Sequence, residues 1–164
     1  MEKIREIFAG ILMPDSVSPG VRSRIMRSIH STGNVTTEIR LASMMRASGL
    51  LGWRRHARIA GSIPDFVFLL HRLAVFVDGC FWHGCPIHFK PPASNQCYWG
   101  LKIAGNRERD RAISARLGRA GWKPMRIWEH ELDDAARTVG RIASALGIGN
   151  LNVNRASGAS SRPR

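Results

Sequence analysis

Residues 66–77 hold two apolar runs, 66–70 and 73–77, parted only by His71-Arg72. Both are short and rich in aromatic and β-branched side chains, so they read as two strands of a hairpin buried in a sheet. A buried sheet needs cover, and the flanking segments supply it. Thr36 and Thr37 are candidate caps for a helix running to about Ser48, with Glu38 in its first turn and Gly49 at its end. Ile39, Leu41, Ala42, Met44 and Met45 would form its apolar face. Residues 103–120 read as a second helix, with Ile103, Ile113, Leu117 and Ala120 apolar. Arg107, Arg109, Arg111 and Arg116 form its charged face, and Gly121 stops it. Residues 122–128 read as a strand whose Pro124 places it at an edge or a bulge. Residues 132–146 close the series as a helix. The order helix, strand, strand, helix, strand, helix gives an α/β fold, a mixed central sheet flanked by helices.

Composition narrows the partner. Among 164 residues, Lys and Arg number 25 against 12 Asp and Glu, a net charge of +13. That excess points to a polyanion, nucleic acid first and an anionic membrane surface second. No apolar run reaches the roughly 18 residues of a membrane span. Three cysteines, an odd number, suit a reducing compartment better than a disulfide framework. The apolar stretch 7–13 is short and has no A-x-A-like site, so it is not read as a signal peptide, and a cytoplasmic protein is expected. One domain is expected over 20–148. It is preceded by an extension over 1–19, with a short helix before the loop at 14–20. It is followed over 149–164 by a basic tail read as disordered, which carries Arg155, Arg162 and Arg164.

Cys80, Cys85 and His88 stand within nine residues of one another in a chain with three Cys and six His. Thiolate and imidazole are the donors zinc prefers, and a structural site closes with four of them. The fourth donor comes from elsewhere: His130, after the last strand, is the best candidate, with Cys97 and His83 as rivals.

Acidic residues are scarce, which makes their positions informative. Asp65 follows Pro64 at the start of the first core strand, Asp78 ends the second, and Glu38 lies on the preceding helix. Carboxylates gathered at strand ends of a basic protein can hold Mg2+. A metal there would polarise a phosphodiester and stabilise the leaving oxygen, with His83 near in sequence as general acid or base. Taken singly, Asp65 and Asp78 are as readily turn formers and Glu38 a helix-dipole partner. Phe81 and Trp82, between Cys80 and His83, and Met26, between arginines, have the character of wedges that unstack base steps; core packing is the plainer role for the first two.

These segments resemble a known family. Pro64-Asp65-Phe66-Val67 and the run from Val77 through Asp78-Gly79-Cys80-Phe81-Trp82-His83-Gly84-Cys85 to Pro86-Ile87-His88 are similar to the very short patch repair (Vsr) endonucleases. Arg22-Ser23-x-x-Met26-Arg27-x-Ile29, Tyr98-Trp99-x-x-Lys102-Ile103, Asn106-x-x-Arg109-Asp110 and Trp128-Glu129-His130-Glu131 continue the series, which covers roughly 20–135. The resemblance implies a fold like that of type II restriction endonucleases with a structural zinc added. It implies an enzyme that nicks one strand of duplex DNA 5′ to the T of a T:G mismatch, with Mg2+ as cofactor. Such mismatches arise where 5-methylcytosine deaminates in the site of a DNA cytosine methyltransferase, and a repair polymerase fills the patch. A nucleoid-associated monomer is expected.

By position, the resemblance makes Asp65 the carboxylate that holds Mg2+, with the Val77 carbonyl as a further ligand. His83 would activate or protonate, Glu38 would support the site, and Met26, Phe81 and Trp82 would be the wedges. Cys80, Cys85, His88 and His130 would bind Zn2+. One departure is that Phe76-Val77-Asp78 stands where restriction-type sites place an acidic residue, a spacer and Lys. Asp78 is left with three roles: binding metal, binding a water, or orienting His83.

Overall fold

The computed structural model describes residues 37–93 and 95–149. The extension over 1–19, Met26, Thr36 and the tail beyond Gly149 lie outside the described residues. Four strands make one sheet in the order β1-β2-β3-β4: β1 (Arg54–Arg55), β2 (Phe66–Phe68), β3 (Leu73–Asp78) and β4 (Lys123–Trp128). The first three pair antiparallel and β4 runs parallel to β3, so the sheet is mixed. Among the described residues three helices flank it: α1 (Glu38–Ala47), α2 (Gln96–Arg119) and α3 (Ala135–Ala145). The α/β reading therefore stands, and α2 carries the crossover that a parallel pair requires.

Alternation along the strands builds two cores. Phe66, Phe68, Leu73, Val75 and Ile127 face Leu41, Ala42 and Met45 of α1 and Val139 and Ile142 of α3. Val67, Ala74 and Phe76 face the other way, toward Leu117 of α2, Ile59 and the partly buried Ile113 and Trp122. A central strand covered on both faces reads as an unbroken apolar run, which is why 73–77 shows no polar alternation. Each fully buried large side chain contributes about 1.5–3 kcal/mol.

The structure corrects several boundaries. β2 stops at Phe68, because residues 69–72 form the turn: the Arg72 N–H meets the Leu69 carbonyl at 3.2 Å, and Leu70 is 95% exposed. β1, opposite β2, was not anticipated; two arginines carry no apolar signal. α2 begins at Gln96 rather than Ile103. The last segment is two elements, a 3-10 turn (Glu129–Asp133) and then α3, whose first turn is capped by Asp134 accepting from the Arg137 N–H at 2.9 Å. Ile39 is 43% exposed and leaves the apolar face of α1, and Thr37 caps that helix without a side-chain bond. Among the described residues β4 pairs on one side only, and in unbroken register past Pro124, so the proline marks an edge and not a bulge.

Candidate active site

Strand directions gather the chemistry at one end of the sheet. β2 starts there with Asp65 just before it, β1 ends there with His56 just after it, and β3 and β4 both end there. α1 delivers Glu38 from one face of the sheet and α2 delivers Asp110 from the other.

On the α1 side, Glu38 is 4% exposed, and its Oε2 accepts from Arg55 Nη2 and from His56 Nε2, each at 2.7 Å. His56 reaches it from a left-handed backbone position, φ 50°, a conformation that costs a non-glycine residue about 1 kcal/mol or more. Asp65 Oδ2 accepts the Val77 N–H at 2.7 Å. Donor atoms of Glu38, His56 and Asp65 lie within 4.8 Å of one another. Burial pushes the Asp65 carboxyl up to about 6, Glu38 pushes the same way, and the Val77 bond and His56 pull against them.

Asp78 does not join that group. It is 3% exposed and forms a two-pronged pair with Arg126, whose Nε and Nη2 reach its two oxygens at 2.5 and 2.8 Å. Arg126 Nη2 also lies 2.7 Å from Asp110 Oδ1. Burial alone would lower the Arg126 guanidinium; its bonds to Asp78 and the charges of Asp78 and Asp110 raise it instead. His83 Nδ1 sits 2.6 Å from Asp110 Oδ2 and 3.6 Å from Asp78 Oδ1. A carboxylate oxygen accepts, so the contact places a proton on Nδ1 toward Asp110, and in the neutral ring Nε2 is then the nitrogen with the lone pair.

The loop after β3 is pinned to α2. Asn106 Nδ2 donates to the Trp82 carbonyl at 2.8 Å, and Arg107 donates to the Gly84 carbonyl. Gly84 has φ +64°, and a Cβ there would stand 2.7 Å from Ile103 Cγ2, so conformation and contact both demand glycine. Phe81 and Trp82 are half-buried and meet edge to face at 5.2 Å, with Trp99 at 5.2 Å from Phe81 and 6.0 Å from Trp82.

The same loop brings Cys80, Cys85 and His88 to His130, which follows β4. Their donor atoms all lie within 4.8 Å of one another, with Cys80 Sγ to His130 Nδ1 at 3.2 Å. Cys85 Sγ stands 3.7 Å from His130 Nδ1 and 3.8 Å from His88 Nδ1. Metal bonds of about 2.0–2.3 Å put the donors of a tetrahedral zinc roughly 3.3–3.8 Å apart, so this set fits that ion. Burial and the neighbouring Cys85 push the Cys80 thiol up, against a bond from His130, and a cation would offset that penalty. Cys97 is exposed on α2, and His83 belongs to the Asp110 group, so neither rival joins the set.

His56, Arg55, Asp110 and Arg126 carry much of this geometry and had no role assigned from sequence. A signal existed for one. Ile103, Asn106, Asp110, Ile113 and Leu117 follow the 3-4-3-4 spacing of one helix stripe, so Asn106 and Asp110 fall on the face that packs inward. His56 has no such mark, because its ring is placed by a turn.

The comparisons follow the same residues. A family profile described as DNA mismatch endonuclease Vsr matches residues 14–88. Type II nicking enzyme V.NaeI of Lentzea aerocolonigenes is 51% identical over 77 residues, a stretch that takes in 46% of each chain. Type II nicking enzyme V.XorIIP of Xanthomonas oryzae pv. oryzae is 36% identical over 136 residues, 82% of this chain and 98% of that one. DNA mismatch endonuclease Vsr of Escherichia coli K12 is 39% identical over 118 residues, 71% of this chain and 74% of that one. Identity sustained over that length, with the site residues at one sheet end, means that the chain belongs to the Vsr family of DNA endonucleases.

Proposed function

We propose that the protein nicks one strand of duplex DNA 5′ to the T of a T:G mismatch, by Mg2+-dependent hydrolysis that leaves a 5′-phosphate. The observation that carries this reading is Asp65, held by the Val77 N–H at the sheet end to which both histidine–carboxylate pairs are also brought. The words mismatch and nicking in the relatives' names support the choice of substrate and of a single-strand cut. Such a mismatch arises by deamination of 5-methylcytosine made by a DNA cytosine methyltransferase, and a repair polymerase would follow. The enzyme would act as a monomer.

Asp65 would hold Mg2+ together with the Val77 carbonyl, which in an extended strand projects to the same side as the N–H that meets Asp65. The ion would supply charge to polarise the phosphodiester. A carboxyl raised to about 6 by burial and a neighbouring carboxylate fits a cation site, since the cation removes both penalties. His83 takes a proton from the attacking water at Nε2, and Asp110 holds its ring in the tautomer that can. Asp78 acts through Arg126 to fix Asp110, and Glu38 supports the site from α1. Phe81, Trp82 and Met26 would press on the mismatched step. Cys80, Cys85, His88 and His130 would hold Zn2+ in a structural role, because four protein donors leave no open position.

The test is nicking of two duplexes with the same flanks, one matched and one carrying T:G, in Mg2+. A single-strand cut 5′ to the T, confined to the mismatched duplex, is expected. Equal cutting of both strands of the matched duplex would make it a restriction-type nuclease. Binding without cutting, unchanged in Asp65→Ala, would make it a DNA-binding module.

A further inference from the structure

The site holds a second carboxylate–histidine pair, on the opposite side from His83. Glu38 Oε2 accepts a hydrogen bond from His56 Nε2 at 2.7 Å, as Asp110 Oδ2 accepts one from His83 Nδ1 at 2.6 Å. The first pair is anchored on α1 and the second on α2, and these helices pack on opposite faces of the sheet. Asp65 lies within 4.8 Å of Glu38 and His56 and is bonded to β3, the strand that runs on into the His83 loop. The His56 side chain is 29% exposed, so its ring is accessible from outside.

In-line displacement at phosphorus needs proton traffic at two places, the attacking and the departing oxygen, which lie on opposite sides of the phosphorus. One histidine cannot serve both at once. We infer that His56 is a catalytic residue, the general acid that protonates the leaving 3′-oxygen through Nδ1, while His83 takes the proton of the attacking water. This rests on the proposed nicking reaction. A cut 5′ to the mismatched T that leaves a 5′-phosphate expels the 3′-oxygen of the upstream nucleotide, away from the mismatch. His83 follows directly on Trp82, the residue proposed to meet the mismatch, and so belongs on the attacking side; His56, across the sheet, belongs on the departing side. The step balances. The water oxygen bonds to phosphorus and gives a proton to His83 Nε2. The bond from phosphorus to O3′ breaks, its electron pair stays on O3′, and His56 Nδ1 supplies the proton. The products are a 3′-hydroxyl and a 5′-phosphate, and solvent restores both rings.

The test compares the ordinary T:G duplex with one whose scissile 3′-oxygen is replaced by sulfur, in Mn2+ throughout because sulfur is a soft ligand. A thiolate leaves without a proton, since a thiol is far more acidic than an alcohol. His56→Gln and His56→Asn are expected to slow nicking of the oxygen substrate about 100-fold and to leave the sulfur substrate near the wild-type rate. His83→Gln is expected to slow both. The ratio of the two rates within one variant does not depend on how much of it is folded. An equal loss on both substrates in the His56 variants, or no loss on either, overturns the assignment while wild-type nicking stands. Wild-type protein that nicks neither substrate overturns the proposed function and this inference with it.

Discussion

Asp110 Oδ2 lies 2.6 Å from His83 Nδ1, across 27 residues of chain and from a different element. The contact sets which ring nitrogen is left for chemistry. Asp110→Asn keeps the size of the side chain but can present an amide N–H, which favours the wrong tautomer. Single-turnover nicking of a T:G duplex is expected to fall about 100-fold or more, with mismatch affinity held within a few fold. A variant that nicks at the wild-type rate would detach Asp110 from the reaction.

In the proposed site Asp65 would carry its function at the expense of stability, and the sign can be worked out. Its carboxyl titrates at about 6 in the folded chain against 3.8 as a free group, so the folded state holds the proton more tightly. Ionising it therefore opposes folding. The penalty is absent well below pH 3.8, grows between 3.8 and 6, and is complete above 6. Without divalent cation, Asp65→Asn is expected to melt above wild type at pH 8, and the gap is expected to close toward pH 4. The same variant is expected to bind DNA and not nick it. Parallel melting curves across that range would contradict the burial of this charge.

The Arg126 guanidinium answers two carboxylates at once. Arg126→Met would leave Asp78 and Asp110 facing each other without it, at an expected loss of about 3 kcal/mol by chemical denaturation. Adding Asp78→Asn is expected to recover part of that loss, giving a coupling of about 1 kcal/mol or more. Strict additivity would mean that the pair is not a unit.

For zinc, the purified protein is expected to contain one ion per chain by metal analysis. Cys80→Ser is expected to lose the metal and most of its cooperative unfolding transition, because ligand binding and folding are linked. Cys97→Ser, at an exposed position outside the set, is expected to keep both. Soluble, folded protein without zinc would refute the assignment.

Much of the fold was legible because it follows from periodicity. The run at 73–77 lies within β3, the run at 66–70 supplies β2 up to Phe68, and Gly121, with φ +75°, does stop α2. The Cys and His donors could be grouped from sequence because their chemistry is rare and mostly local. What stayed hidden was set by contact across the fold. Asp110 looked like one more charge on a helix rich in arginine until α2 was placed against the His83 loop. His56 and Arg55 depend on β1, a strand too short to show an alternating pattern. Arg126 sits in a strand that reads as an ordinary edge, and only the parallel register with β3 puts it beside Asp78, as Phe76 faces Arg126 across the pair. Asp78 was read with three alternatives because the residue that occupies both its oxygens lies 48 positions away.

The parallel pairing of β3 with β4 also sets the order in which the candidate site is completed along the chain. The chain through His88 supplies Asp65, Glu38, His56 and three of the four candidate metal donors, yet Asp110 comes with α2 itself, and Arg126 and His130 only after α2 has crossed the sheet. That closure joins segments 50 residues apart, such as Cys80 and His130, and long-range pairings of this kind form late. A nascent chain that has released only its first half therefore carries half a nuclease.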